Sequence, residues 1–264
     1  MVYNNVEMFN LQHILYMVIS FLLTAVLLVW CGLKVKDQYK KNSILVLSAV
    51  LTVVIHYSNV WVEFFTSGGT NTVEANHILP VYPCNVVMWM LLLCAVIKNK
   101  TSVIFRLLSD FCFFGGIVCG IIGIMFNANF DSTPTLLDYY VLKGLLSHST
   151  MLFGCIYLMV GGYVKIGVFN ALSVTFGLAT FVVCGLFVNK LYTIFNMTPP
   201  DGMFLLSNPY FPISPMILGV IAIIIMFVVL ALYEQQHLPE EQRWYFKLKN
   251  LYKNEENTKE KEEV

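Results

Sequence analysis

The sequence predicts an all-α, polytopic membrane protein: a bundle of seven transmembrane helices, with the N-terminus outside and the C-terminus cytoplasmic. Three observations carry the prediction. Of 264 residues, 58% are hydrophobic and only 12% charged, where a soluble domain has about 45–50% apolar and about 25% charged residues. The apolar residues gather into seven continuous runs. Lys and Arg then alternate from one connecting loop to the next. A water-soluble fold of this size cannot hide so much apolar surface, and disorder requires the opposite composition. Sixteen Lys and Arg balance sixteen Asp and Glu, so net charge points to no nucleic-acid partner.

A helix needs about 20 apolar residues to cross a hydrocarbon core about 30 Å thick. The runs that qualify are Gln12–Leu33, Ser43–Phe65, Pro80–Ile97, Ser102–Phe126, Tyr140–Tyr163, Ile166–Val188 and Ile213–Tyr233. Barrel strands alternate polar and apolar residues, and these runs do not. The first run is preceded by Glu7 and by no Lys or Arg, and it outlasts a signal-peptide core, so it is expected to remain in the mature protein. Orientation follows from the basic loops. Lys34, Lys36, Lys40 and Lys41 lie in the first loop, Lys98 and Lys100 in the third, and Lys165 in the fifth. The loops on the other side hold only Lys190.

Residues 1–237 therefore read as one seven-helix domain, and 238–264 as a cytoplasmic amphipathic segment with a charged tail. Pro239-Glu240-Glu241 is a helix start, with acids at the positive dipole end. Trp244, Leu248 and Leu251 recur at helical spacing among Arg243, Lys247 and Lys249, which suits a helix lying on an anionic leaflet. Two outer loops, Thr66–Leu79 and Asn189–Pro212, are long enough to cap a cavity.

All seven cysteines fall inside predicted spans, none pairs as CxxC, and the count is odd. This pattern suits neither a disulfide framework nor a zinc site, and no metal or cofactor is expected. Cys84 stands apart, in Leu79-Pro80-Val81-Tyr82-Pro83-Cys84-Asn85. The two prolines remove backbone donors there, and disturbed backbone at membrane depth needs protein or a water-filled cavity over it. Ionisable residues inside spans usually mark function. Here they are His56, Arg106, Asp110 and His148, with Glu63 and Lys143 near span ends. Arg106 and Asp110, spaced i, i+4, read as a structural ion pair. Two histidines near mid-membrane with a thiol above them suggest nucleophilic catalysis: His takes the proton of Cys and returns it to the leaving group.

The chain resembles the YwaF-like family of integral membrane proteins, bacterial relatives of the eukaryotic transmembrane-protein-164 acyltransferases. The residues that carry the resemblance are Leu11-Gln12-His13-Ile14, Leu79-Pro80-x-x-x-Cys84-Asn85, Phe114-Gly115-Gly116-Ile117, Leu146-Ser147-His148 with Tyr157-Leu158, and Asn196 to Pro209 with Met203-Phe204-Leu205. The resemblance implies transfer of fatty acyl chains between phospholipids, with Cys84 as nucleophile and His148 as base. The fold it implies is also similar to that of membrane lipid hydrolases with a Thr–His pair. The chain departs from the family's Leu-His-Leu-Cys at Val81-Tyr82-Pro83-Cys84. Tyr82 stands where the family has His and can donate a hydrogen bond.

The expected function is thus a lipid acyltransferase or acyl hydrolase acting on membrane phospholipids through Cys84 and His148. Asn85, Tyr82 and His56 are supporting candidates, Asn85 or Tyr82 steadying the oxyanion. Two alternatives remain open: a non-catalytic lipid-binding scaffold, and a small proton-coupled transporter using His56, Arg106, Asp110 and His148 as a relay. The expected location is a bacterial cytoplasmic membrane.

Overall fold

The computed structural model describes residues 9–66, 78–127, 129–130, 133, 135–206 and 215–244, without the side chains of Pro215 and Met216. Helices appear in all seven predicted regions: α1 (Leu11–Lys34), α2 (Gln38–Thr66), α3 (Pro83–Val96), α4 (Val103–Met125), α5 (Tyr139–Val160), α6 (Phe169–Ile194) and α7 (Pro215–His237). No strand occurs among the described residues. Six of the helices are long and apolar enough to cross a membrane, and α3 is not. The chain is a multi-pass membrane protein.

The helices are built inside out. The buried face of α1 carries His13, Ser20, Thr24, Leu28 and Cys31, whereas Leu15, Ile19, Leu22, Val26 and Leu33 are exposed. On α2, Ser48, Thr52 and Asn59 are buried while Leu47, Val54 and Trp61 face outward. Water would not tolerate such an exterior, and a bilayer requires it. Small and hydroxyl-bearing residues inside let helices approach closely and hydrogen-bond across the seams.

The third region corrects the 18-residue expectation. A proline disfavours the α conformation in the residue before it, and Tyr82 is extended at φ −108°, ψ 153°. The helix therefore begins at Pro83, in the first-turn position where a missing N–H costs nothing. Its 14 residues span about 21 Å. The helix is apolar on every side and buried among its neighbours through Val87, Met88, Leu91 and Cys94. Protein closes both of its ends. At the C-terminal end, Lys100 donates to the Cys94 and Ala95 carbonyl oxygens at 2.5 and 3.1 Å and lies over the Phe105 ring. Burial lowers the pKa of this lysine below its ordinary value.

Other boundaries shift for local reasons. α2 starts five residues early because the Asp37 carboxylate accepts the Lys40 N–H at 2.9 Å, an N-cap. α6 runs six residues past Val188 because Asn189 and Tyr192 are buried, and the Asn189 side-chain oxygen accepts the Gly202 N–H at 2.7 Å. Beyond α7 the described chain makes only a short 3₁₀ turn, Glu240–Gln242. The amphipathic helix expected through Leu248 and Leu251, most of the 66–79 loop and the last residues of the 189–212 loop lie outside the described residues.

Two antiparallel seams fix the interior. Across α2 and α5, Thr52 donates to Thr150 at 3.1 Å, and Gly154 lets Ser48 approach so closely that a Cβ there would lie 2.8 Å from its oxygen. Across α4 and α5, a Cβ on Gly116 would strike Cys155, on Gly120 Leu152, and on Gly123 His148. These glycines, spaced 4 and 3 apart, form one stripe of α4 on which α5 rests.

Candidate functional site

Cys84 occupies the first turn of α3, part-buried, beside Asn85, whose N–H donates to the Tyr82 carbonyl oxygen at 3.0 Å. Asn85 ties that turn down. Its side-chain oxygen accepts the Tyr82 N–H at 3.0 Å, which leaves the amide nitrogen to donate to His56 Nε2 at 2.7 Å. His56 Nε2 is therefore the acceptor, and that lone pair is already engaged. His56 lies ten residues before the end of α2, about 15 Å along the helix. The start of α3, and Cys84 with it, stands at this level of α2. The sequence reading places Cys84 within a turn of the outer end of an 18-residue span; the helix has 14 residues and starts at Pro83, which sets Cys84 in its first turn, level with His56 of α2.

His148 lies on α5. A carbonyl oxygen only accepts, so the 2.7 Å contact with Gly144 O makes Nδ1 the protonated nitrogen and leaves the lone pair on Nε2. The ring lies flat against α4 at Gly123, where a Cβ would sit 1.9 Å from Cδ2 and 2.3 Å from Nε2. One turn earlier on α4, Cys119 interacts electrostatically with Cys84. Among the described residues no hydrogen bond joins Cys84 to His148; the two stand on α3 and α5, which both pack on α4. Lys143, five residues before His148, interacts electrostatically with both of them and with Glu63. Tyr57 adds its hydroxyl to the Trp89 indole N–H at 2.8 Å and packs its ring on His56.

A strained segment covers the start of α3. Asn196, Asp201, Met203 and Phe204 all have φ near +55°, a region that costs a non-glycine residue on the order of 1–2 kcal/mol. The Met203 N–H donates to Val81 O at 2.7 Å, Met203 is buried, and the Phe204 ring meets the half-exposed Tyr82 ring at 5.9 Å. Gly185 makes room for this turn: a Cβ there would lie 2.6 Å from the Gly202 carbonyl oxygen. Strain held in place by packing is characteristic of functional sites.

The other sequence candidates lie elsewhere. Arg106 Nε is 3.8 Å from Asp110 Oδ2, its guanidinium stacks on Phe169, and Asp110 accepts the Ser173 hydroxyl at 3.0 Å. Asp110 is thirteen residues from Gly123, about 20 Å along α4, so the ionisable residues named as a relay fall into two separate groups. His13 was missed as a structural residue. It is fully buried, donates from Nε2 to Ile124 O at 2.8 Å and stacks on Phe130 at 4.6 Å. A histidine in the first turn of an otherwise apolar run is the signal that marks it. Among the described residues no group of three His, Cys, Asp or Glu side chains is arranged to hold a metal ion.

Comparison with protein-family models matches the TMEM164 family over residues 8–233. No curated protein and no solved structure matches the chain.

Proposed function

The chain belongs to the TMEM164 family, and from that premise we propose that it is a membrane acyltransferase or acyl hydrolase acting on phospholipid esters through Cys84 and His148. The observation that carries this reading is the tautomer of His148: the Gly144 carbonyl oxygen accepts the Nδ1 hydrogen bond and leaves the Nε2 lone pair available as a base, while Asn85 and His56 fix the turn that bears Cys84. A thiol attacks only once a base removes its proton. His148 Nε2 takes that proton, and the sulfur adds to the ester carbonyl carbon. The oxyanion develops beside the first turn of α3, whose N–H groups carry the positive end of the helix dipole. Collapse breaks the acyl C–O bond, His148 returns the proton to the departing alkoxide, and a thioester remains on Cys84. A lysolipid hydroxyl or water then attacks the thioester by the reverse sequence.

The roles of the supporting residues change in this reading. Asn85 spends both ends of its amide on Tyr82 and His56, so it orients Cys84 rather than binding the oxyanion. The lysine-rich end of the bundle, with Lys34, Lys36, Lys98, Lys100 and Lys165, is cytoplasmic by the positive-inside rule, and the site opens toward the other leaflet of a bacterial membrane.

The test uses purified protein in nanodiscs of defined phospholipid, following fatty-acid release and acyl exchange by mass spectrometry. Turnover is expected, with labelling of Cys84 by a lipid-like thiol probe, and both Cys84→Ser and His148→Ala should lose at least 100-fold in turnover. Lipid remodelling that survives Cys84→Ser would overturn the assignment. Retention of a co-purified phospholipid without product would favour the scaffold reading.

A further inference from the structure

Resting on the ester-cleaving reading above, we propose that Lys143 and Asn59 form a subsite for the phosphate group and glycerol backbone of a glycerophospholipid, directly above the reacting pair. The seam between α2 and α5 supplies the placement. Thr52 pairs with Thr150 and Ser48 with Gly154, and the same antiparallel register sets Asn59 opposite Lys143. The level is confirmed one turn further on, where the Tyr140 hydroxyl reaches Glu63 Oε1 at 3.4 Å.

Asn59 is 2% exposed, and its side-chain oxygen has no hydrogen-bond partner among the described residues. A buried acceptor in that condition carries a free-energy penalty on the order of 1–3 kcal/mol, which a donor from a ligand would remove. It lies on the inner face of α2, one turn from His56 on one side and from Glu63 on the other. His56 holds the Cys84 turn through Asn85, so Asn59 stands one turn along α2 from the contact that fixes the site.

Lys143 brings the complementary charge. Lys143 interacts electrostatically with Glu63, and a lipid phosphate would offer it a second anionic partner. Depth also fits. Lys143 precedes His148 by five residues, about 7.5 Å along α5, and a glycerophospholipid carries its ester carbonyls a few ångströms below its phosphate. With the phosphate on Lys143, an ester reaches the level of His148 and Cys84, and a glycerol hydroxyl or a bridging water can donate to Asn59.

The experiment compares phosphatidylcholine with diacylglycerol bearing the same chains, in nanodiscs. Lys143→Gln is expected to lower the ratio of kcat/KM for phosphatidylcholine over diacylglycerol at least tenfold, through KM, and Lys143→Arg to restore most of it. An equal fall in kcat on both lipids would make Lys143 part of the chemistry and overturn the subsite. A second readout does not need turnover: crosslinking of a photoreactive phospholipid, competed by phosphatidylcholine and not by diacylglycerol, should be lost in Lys143→Gln and weakened in Asn59→Leu. Crosslinking unchanged in both variants overturns the proposal even if the enzyme is active. Crosslinking lost as expected in a protein that cleaves no ester supports the subsite and refutes the parent reading alone. Inorganic phosphate competing as well as the lipid would assign the subsite to the free ion and overturn the lipid assignment.

Discussion

Gly123→Ala gives the sharpest test of how His148 is held. A methyl group at this position would lie 1.9 Å from the imidazole Cδ2, whereas unstrained carbon contacts lie at about 3.5–4.0 Å. The ring must therefore withdraw by roughly 1.5–2 Å, or α4 and α5 must part along their whole glycine seam. Overpacking of this kind costs about 1–3 kcal/mol. Loss of the Nδ1 bond to Gly144 adds about 1 kcal/mol, while replacing glycine in a helix interior returns about 1 kcal/mol. The net expectation is a loss of roughly 1–3 kcal/mol and a melting temperature lower by several degrees in nanodiscs. A misplacement of about 1 Å can cost a reaction on the order of 100-fold, so turnover should fall at least that far. Gly115→Ala is the control, since its methyl would only brush the Phe111 ring at 3.0 Å, and it should stay within about 1 kcal/mol of wild type. If Gly123→Ala keeps both its melting temperature and its turnover within twofold, the imidazole does not rest on α4, and the proposed pairing with Cys84 loses its footing.

Three further outcomes are expected. Asn85→Ala removes the two bonds that tie the start of α3 to Tyr82 and to His56; it should cost about 1–2 kcal/mol by thermal unfolding and speed thiol labelling of Cys84 as that turn loosens. Tyr157→Phe removes a buried hydroxyl that has no partner among the described residues, so it should be neutral or stabilising by up to about 1–2 kcal/mol, and a clear loss would reveal an unseen water or side-chain partner. Gly177→Ala would set a methyl 2.0 Å from the ring of Phe111, which is 1% exposed and packed on Phe181; a loss of about 1–3 kcal/mol is expected, and unchanged stability would show that α4 and α6 are further apart than described.

The polar candidates were legible in different degrees. Cys84 stood out because Pro80 and Pro83 flank its turn, and those prolines do set where α3 begins. Its depth was not legible, since it follows from the Asn85–His56 contact between residues 29 positions apart. Lys143 reads in the sequence only as a charge near a span end, and no pattern singles out Asn59. Both acquire meaning from the register of α2 against α5. The glycine-rich fourth span was visible as composition, but the use of Gly123 as a seat for His148 depends on which face α5 presents to it.

Composition and run length alone determine that this chain lives in a bilayer and roughly where its helices lie, because each backbone segment in lipid must satisfy its own hydrogen bonds and only long apolar helices do so. Local chemistry in the sequence also determines the proline-set start of α3. What tertiary structure alone decides is which face of each helix turns inward and which levels meet. Lipid and protein interior are almost equally apolar, so hydrophobic patterning does not separate the two faces as it does in water. Packing of glycines, serines and threonines across the seams makes that choice, and with it sets Asn59 opposite Lys143 and seats His148 on Gly123.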